Sequence, residues 1–146
     1  MAVPFDLTFS INDLPLTTNA QTSMHWRKKG EYVKTWHLKV WAAVGKNKPA
    51  LSLSLARLIL IRFSTTEPDF DGLVSSFKPV IDGLINCSVL QNDRFENIGQ
   101  PIYGWEKSTR KNSGITVRVQ EISEAHPRNW MQELIKGTNY ESREDI

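Results

Sequence analysis

The sequence predicts an α+β domain, a small mixed sheet of about four strands packed with two or three helices. Three observations predict it. Apolar residues alternate with polar ones at Phe5, Leu7, Phe9 and Ile11, which is the period of a half-buried strand. They recur instead at helical spacing at Val33, Trp36, Val40 and Val44. The 146 residues fit one domain, and no internal repeat or Pro/Gly-rich linker divides them. Residues 1–136 therefore read as one unit, and 137–146 as a mobile acidic tail.

Residues 4–11 make the first strand, and 19–30 read as a polar and basic loop. The first helix covers 31–44 and stops at Gly45, with Lys34 and Lys39 off its buried stripe and His37 at a core edge. Residues 51–63 are rich in leucine and isoleucine and hold neither Gly nor Pro, which makes them a central strand. Asp71 is placed to cap the next helix, whose apolar stripe is Phe70, Leu73, Val74, Phe77, Ile81, Leu84 and Ile85. Pro79 falls inside that stripe. It lacks a donor and clashes with the preceding turn, so a bend or a restart is expected there. Residues 95–103 and 115–122 read as two strands joined by the polar loop 107–114. A last helix begins near Pro127 and carries Trp130, Met131, Leu134 and Ile135.

Composition excludes several classes. At 40% hydrophobic and 23% charged residues the chain is neither collagen-like nor wholly disordered. Its longest strongly apolar run, Leu58 to Ile61, lies between Arg57 and Arg62, far short of the ~20 residues that span a bilayer. No membrane partner is expected. Met1 to Leu7 carries no basic stretch followed by an apolar one, and Cys87 is the only cysteine, so a cytoplasmic location without disulfides is expected.

The net charge of +2 conceals a segregation. Between Ser23 and Lys48 the cations Arg27, Lys28, Lys29, Lys34, Lys39, Lys46 and Lys48 face one acid, Glu31. Lys107, Arg110, Lys111 and Arg118 form a second basic group, and acids dominate from Gln120 onward. Trp26, Tyr32, Trp36 and Trp41 are interleaved with the first group. That mixture suits a polyanion, because aromatics stack on unpaired bases while Lys and Arg bind phosphate. Arg27, Lys28, Lys29, Lys34, Lys107, Arg110 and Lys111 are the candidate DNA contacts.

Candidate chemistry concentrates in Asp69, Asp71, Lys78, Asp82 and Asp93. Asp69-Phe70-Asp71 falls between a predicted strand and a helix, a pattern that also serves as a turn followed by a cap. Asp93, at the end of an apolar run, is a third carboxylate able to converge on the first two. Two carboxylates ~4 Å apart repel by ~4 kcal/mol at an effective dielectric of 20, so such a cluster needs a cation or a proton. Oxygen donors without His or Cys favour Mg²⁺ or Mn²⁺ over zinc. Lys78 and Asp82, four apart, share a helix face, either as a surface pair or with the ammonium beside the reacting groups.

Three stretches in this order, Pro68-Asp69-Phe70-Asp71-Gly72-Leu73, Phe77-Lys78-Pro79-Val80-Ile81-Asp82-Gly83-Leu84 and Val89-Leu90-Gln91-Asn92-Asp93, resemble the RusA family of Holliday junction resolvases of phages and prophages. The family pattern is Asp-x-Asp-Asn-Leu, a lysine four residues before Asp-x-Leu, and a strand ending in two acids. His25-Trp26-Arg27 is similar to the family's N-terminal portion, less specifically. Gly72 stands where the family has asparagine, and Asn92 where it has the first acid of the later pair. The interval from Asp71 to Lys78 is one helical turn longer than in its best-known members.

The resemblance implies that Asp69, Asp71 and Asp93 hold Mg²⁺, or Mn²⁺ in its place, and that Lys78 assists them in catalysis. It implies a Mg²⁺-dependent endonuclease, selective for four-way-junction or other branched DNA, that leaves 5′-phosphates and acts as a homodimer. Phosphodiester hydrolysis demands as much as ~20 kcal/mol of barrier reduction, and metal ions supply much of it by activating water and neutralising phosphate oxygens. The rival reading is a catalytically weak or inactive DNA-binding accessory protein of phage origin. A nuclease of the Pro-Asp…(Asp/Glu)-x-Lys type is disfavoured, because no acid stands two residues before any lysine downstream of Asp69. Trp41, Trp105 and Trp130 are candidate dimer contacts.

Overall fold

Alternating burial along four segments builds one mixed sheet. A computed structural model describes residues 3–138, apart from the side chains of Thr18 and Asn19; most of the expected tail lies outside the described residues. The strands are β1 (Asp6–Ile11), β2 (Ala56–Ser64), β3 (Ile102–Lys107) and β4 (Gly114–Glu121), in the order β1-β4-β2-β3. β4 runs antiparallel to both β1 and β2, while β2 and β3 are parallel. Every second residue of β2 from Ala56 to Ser64 is buried. Leu58 and Leu60 stand opposite Val119 and Val117 of β4, and Phe9 of β1 stands opposite Val117, so one apolar face is continuous across three strands.

That face is covered by helices. α1 (Thr18–Thr22) and α2 (Trp26–Val44) follow β1, and α3 (Phe70–Ser76), α4 (Lys78–Asn86) and α5 (Phe95–Ile98) lie between β2 and β3. α6 (Asn129–Lys136) follows β4. Trp36, Val40 and Val44 of α2 join Val80, Ile81 and Leu84 of α4 in the core. Full burial of each such aliphatic side chain contributes roughly 1.5–3 kcal/mol before the entropy of ordering it is deducted. Gly83 is the point where the two helices touch, and a Cβ there would stand 3.0 Å from Val40.

The α+β class and the four-stranded mixed sheet agree with the sequence reading, and the expected restart at Pro79 is present. α3 ends at Ser76 and α4 begins at Lys78, with Pro79 in its first turn, where a missing N–H costs little. Several boundaries differ. The helices among the described residues outnumber the expected two or three, although only α2, α4 and α6 have eight residues or more. The loop expected over 19–30 is instead α1 and the opening of α2. The first turn of α2 is exposed and basic, so it carries no apolar stripe, and it is capped by the His25 Nδ1 accepting from the Arg27 amide at 3.3 Å.

The central strand starts five residues later than expected. Leu53 leaves the sheet to exchange hydrogen bonds with Val89 and Gln91, at 2.8 and 3.0 Å. The strand expected over 95–103 divides into α5 and the start of β3. Gly99, at φ +59°, closes α5 through its amide to Phe95, and Pro101 follows. That conformation is easy for glycine and strained for other residues. Asp69, and not Asp71, caps α3. No helix among the described residues is long and apolar enough to cross a membrane.

Candidate active site and nucleic-acid contacts

The C-terminal end of β2 delivers the first carboxylates. After Ser64 the chain leaves the sheet and reaches Asp69, whose Oδ1 accepts from the Gly72 amide at 2.8 Å and so satisfies a donor at the start of α3. A Cβ at position 72 would stand 2.5 Å from that oxygen, the free end of a side chain that can turn aside. Asp71 lies in the first turn of α3 and is exposed.

The start of α4 delivers the second group. The Lys78 ammonium lies 3.1 Å from Asp82 and 2.9 Å from Asp93, joining a helix position to a loop fifteen residues on. The hydrogen bond with Lys78 lowers the pKa of Asp93, against a smaller opposing effect of burial. The same bond raises that of Lys78. The Asn92 side-chain oxygen accepts from the Asp93 amide at 2.8 Å, fixing the turn that aims the carboxylate.

Tyr103 of β3 stands between the two groups. Its ring is 6.0 Å from Phe77 and 6.5 Å from Phe70, the latter edge to face, and Phe70 is itself the residue between the two aspartates. Burial raises the Tyr103 phenol pKa, with the Lys78 charge opposing. No motif in the sequence marks Tyr103 or its neighbour Gly104. The only signal there is an aromatic at a strand position.

The three carboxylates expected to form one cluster do not stand as one. Among the described residues no three Asp, Glu, His or Cys side chains are close enough together to hold a metal ion. Asp69 spends one oxygen on the α3 cap, and Asp93 is turned to Lys78. The donors have the oxygen chemistry of a Mg²⁺ site without its assembled geometry. Ligation by Asp93 and its ion pair with Lys78 would compete for one carboxylate.

The candidate DNA contacts fall into two exposed sets. Arg27, Lys28, Lys29 and Lys34 lie on the first half of α2. Lys107 ends β3, and Arg110 and Lys111 form a 3₁₀ turn (Arg110–Asn112) before β4. The second set is beside the exit of β2, because Lys107 pairs with Ser64 and the Ser108 amide donates to the Ser64 carbonyl at 3.0 Å. The segment between β1 and α1 ties α2 to the same end of the sheet. Arg62 Nη1 donates to the Pro15 carbonyl at 2.6 Å, and the Leu16 amide donates to the Tyr32 hydroxyl at 2.7 Å. Both basic sets thus share the sheet end from which β2 runs out to Asp69.

Of the three tryptophans considered for a dimer contact, Trp105 is used within its own chain, donating to Ser64 Oγ at 2.9 Å. Trp41 and Trp130 are exposed, at 61% and 50%. No protein-family model matches the chain, and no curated protein matches it.

Proposed function

We propose that the chain is a structure-selective endonuclease of the RusA kind, acting on four-way-junction or other branched DNA as a homodimer and requiring Mg²⁺ or Mn²⁺. One observation carries the reading. The lysine and the last aspartate of the ordered motif series, fifteen residues apart, meet at 2.9 Å on the surface. A ring contact through Tyr103 links that pair to the segment bearing Asp69 and Asp71. Basic helix and turn residues at the same end of the sheet supply the charge that a DNA backbone needs. The Lys78 ammonium is suited to stabilising negative charge on a phosphate as it develops. A four-way junction has approximate two-fold symmetry and needs two cuts, and a two-fold dimer presents two sites related in the same way.

A second reading is favoured by the pairing of Lys78 with Asp82 and Asp93 and by the amide at Asn92, which together leave less free carboxylate for an ion. In that reading the protein binds branched DNA without cutting it. Incubation of a labelled four-way junction with the protein and Mg²⁺, beside a linear duplex, separates the two. Nicking of the junction alone supports the nuclease, and binding without nicking in Mg²⁺ or Mn²⁺ supports the accessory protein.

A further inference from the structure

We propose that a cleft between the β1–α1 segment and the β3–β4 turn is a seat for a backbone phosphate of nucleic acid, whose charge is set by the Asp13–Lys39 ion pair. The cleft has a volume of about 390 Å³ and is lined by Asn12, Asp13, Thr65, Arg110, Lys111 and Ser113, with Leu14. A single water takes up ~30 Å³, so a phosphodiester and its flanking sugar fit. Arg110 and Lys111 form no ion pair among the described residues, and the side chains of Asn12 and Thr65 make no hydrogen bond there. Two free cations, a free amide and a free hydroxyl around one concavity are donors suited to phosphate oxygens.

Asp13 is the one acid in the lining, and it would repel a phosphate. It is neutralised from outside the cleft, because the Lys39 ammonium of α2 bonds its Oδ2. Lys39 itself rests against the Trp36 ring, 5.3 Å from its centre. The cleft opens at the exit of β2, four residues before Asp69, so a strand seated there runs toward the aspartates. The assignment rests on the DNA-binding part of the proposed function and adds to it a particular seat and a charge-setting residue.

The test measures affinity for a fluorescent four-way junction by anisotropy in EDTA. Arg110→Gln/Lys111→Gln is expected to weaken binding at least about tenfold and to flatten the slope of log K against log salt by about 0.9, for the one phosphate no longer neutralised. Lys39→Met is expected to weaken binding, and Lys39→Met/Asp13→Asn to restore it to within about twofold of wild type. Melting temperatures of all variants accompany the titrations. A double variant no better than Lys39→Met, or an Arg110/Lys111 variant with unchanged slope, overturns the proposal. The Lys28→Ala/Lys29→Ala variant separates the failures: if it weakens binding while the cleft variants do not, the DNA reading stands and the cleft falls. Inorganic phosphate at constant ionic strength gives the other source. Displacement of DNA from wild type but not from the Arg110/Lys111 variant is expected, since both ligands would share the cleft; phosphate that raises the melting temperature of wild type and not of that variant, yet leaves junction affinity unchanged, shows a free-phosphate site without DNA in it and overturns the nucleic-acid assignment.

Discussion

Lys78 and Asp93 meet at 2.9 Å although the sequence separates them by fifteen residues and a change of element. Their pKa shifts run in the directions that a real attraction requires, down for Asp93 and up for Lys78, each with their shared hydrogen bond as the largest cause. Both side chains are more than a third exposed, so solvent screening keeps the contribution small.

The pH dependence of that contribution has a definite sign. Asp93, with a lowered folded pKa, contributes stability present above its unfolded value near 3.9 and lost as pH falls through the folded one. Lys78, with a raised folded pKa, contributes stability present below its unfolded value near 10.4 and lost as pH rises through the folded one. Lys78→Met should therefore lower the melting temperature by about 1–3 °C from pH 5 to 9. The difference from wild type should shrink below about pH 4, above about pH 10.5 and in 1 M salt. Thermal melts across that range check it.

Asp69→Asn keeps a good helix cap, since asparagine is as effective there as aspartate, whereas Asp69→Ala should cost about 1 kcal/mol of stability. Cleavage is expected to vanish in Asp69→Asn, Asp71→Asn and Asp93→Asn, with junction binding retained or tightened because a charge that repels phosphate is gone. Paired melts and nicking assays check this. Substantial Mg²⁺-dependent nicking by any one of them removes that residue from the site.

Lys28→Ala/Lys29→Ala should flatten the salt dependence of junction binding by up to about 1.8 in slope, which is about 0.9 for each phosphate no longer neutralised. Titrations from 50 to 200 mM salt read it. An unchanged slope would show that the first turn of α2 points away from the DNA.

Much of the fold is legible in the sequence because its elements bury one face each. The period of two in β1 and the stripe from Trp36 to Val44 both survive in the structure. What misleads is local chemistry that burial does not reveal. The opening of α2 is exposed on all sides near Arg27 to Lys29, so it offers no periodicity, and Phe95 and Ile98 look like strand residues until Gly99 turns the chain. In the candidate site, the Lys78–Asp82 pair is legible from helical spacing and is present at 3.1 Å. The Lys78–Asp93 pairing is not, because it depends on how the chain returns after α4. Nor does spacing show that Asp69, and not Asp71, takes the cap, which follows from the extended backbone of Asp69 before α3. His37 does stand at a core edge, half-buried.

Mapping the cuts on a branched substrate decides whether these carboxylates hydrolyse DNA. A four-way junction labelled on each strand in turn, incubated with Mg²⁺ and resolved to single nucleotides, should show two symmetric nicks bearing 5′-phosphates, with linear duplex intact. Junction that is bound but left uncut in both Mg²⁺ and Mn²⁺, or linear duplex cut as readily as junction, contradicts the proposed function.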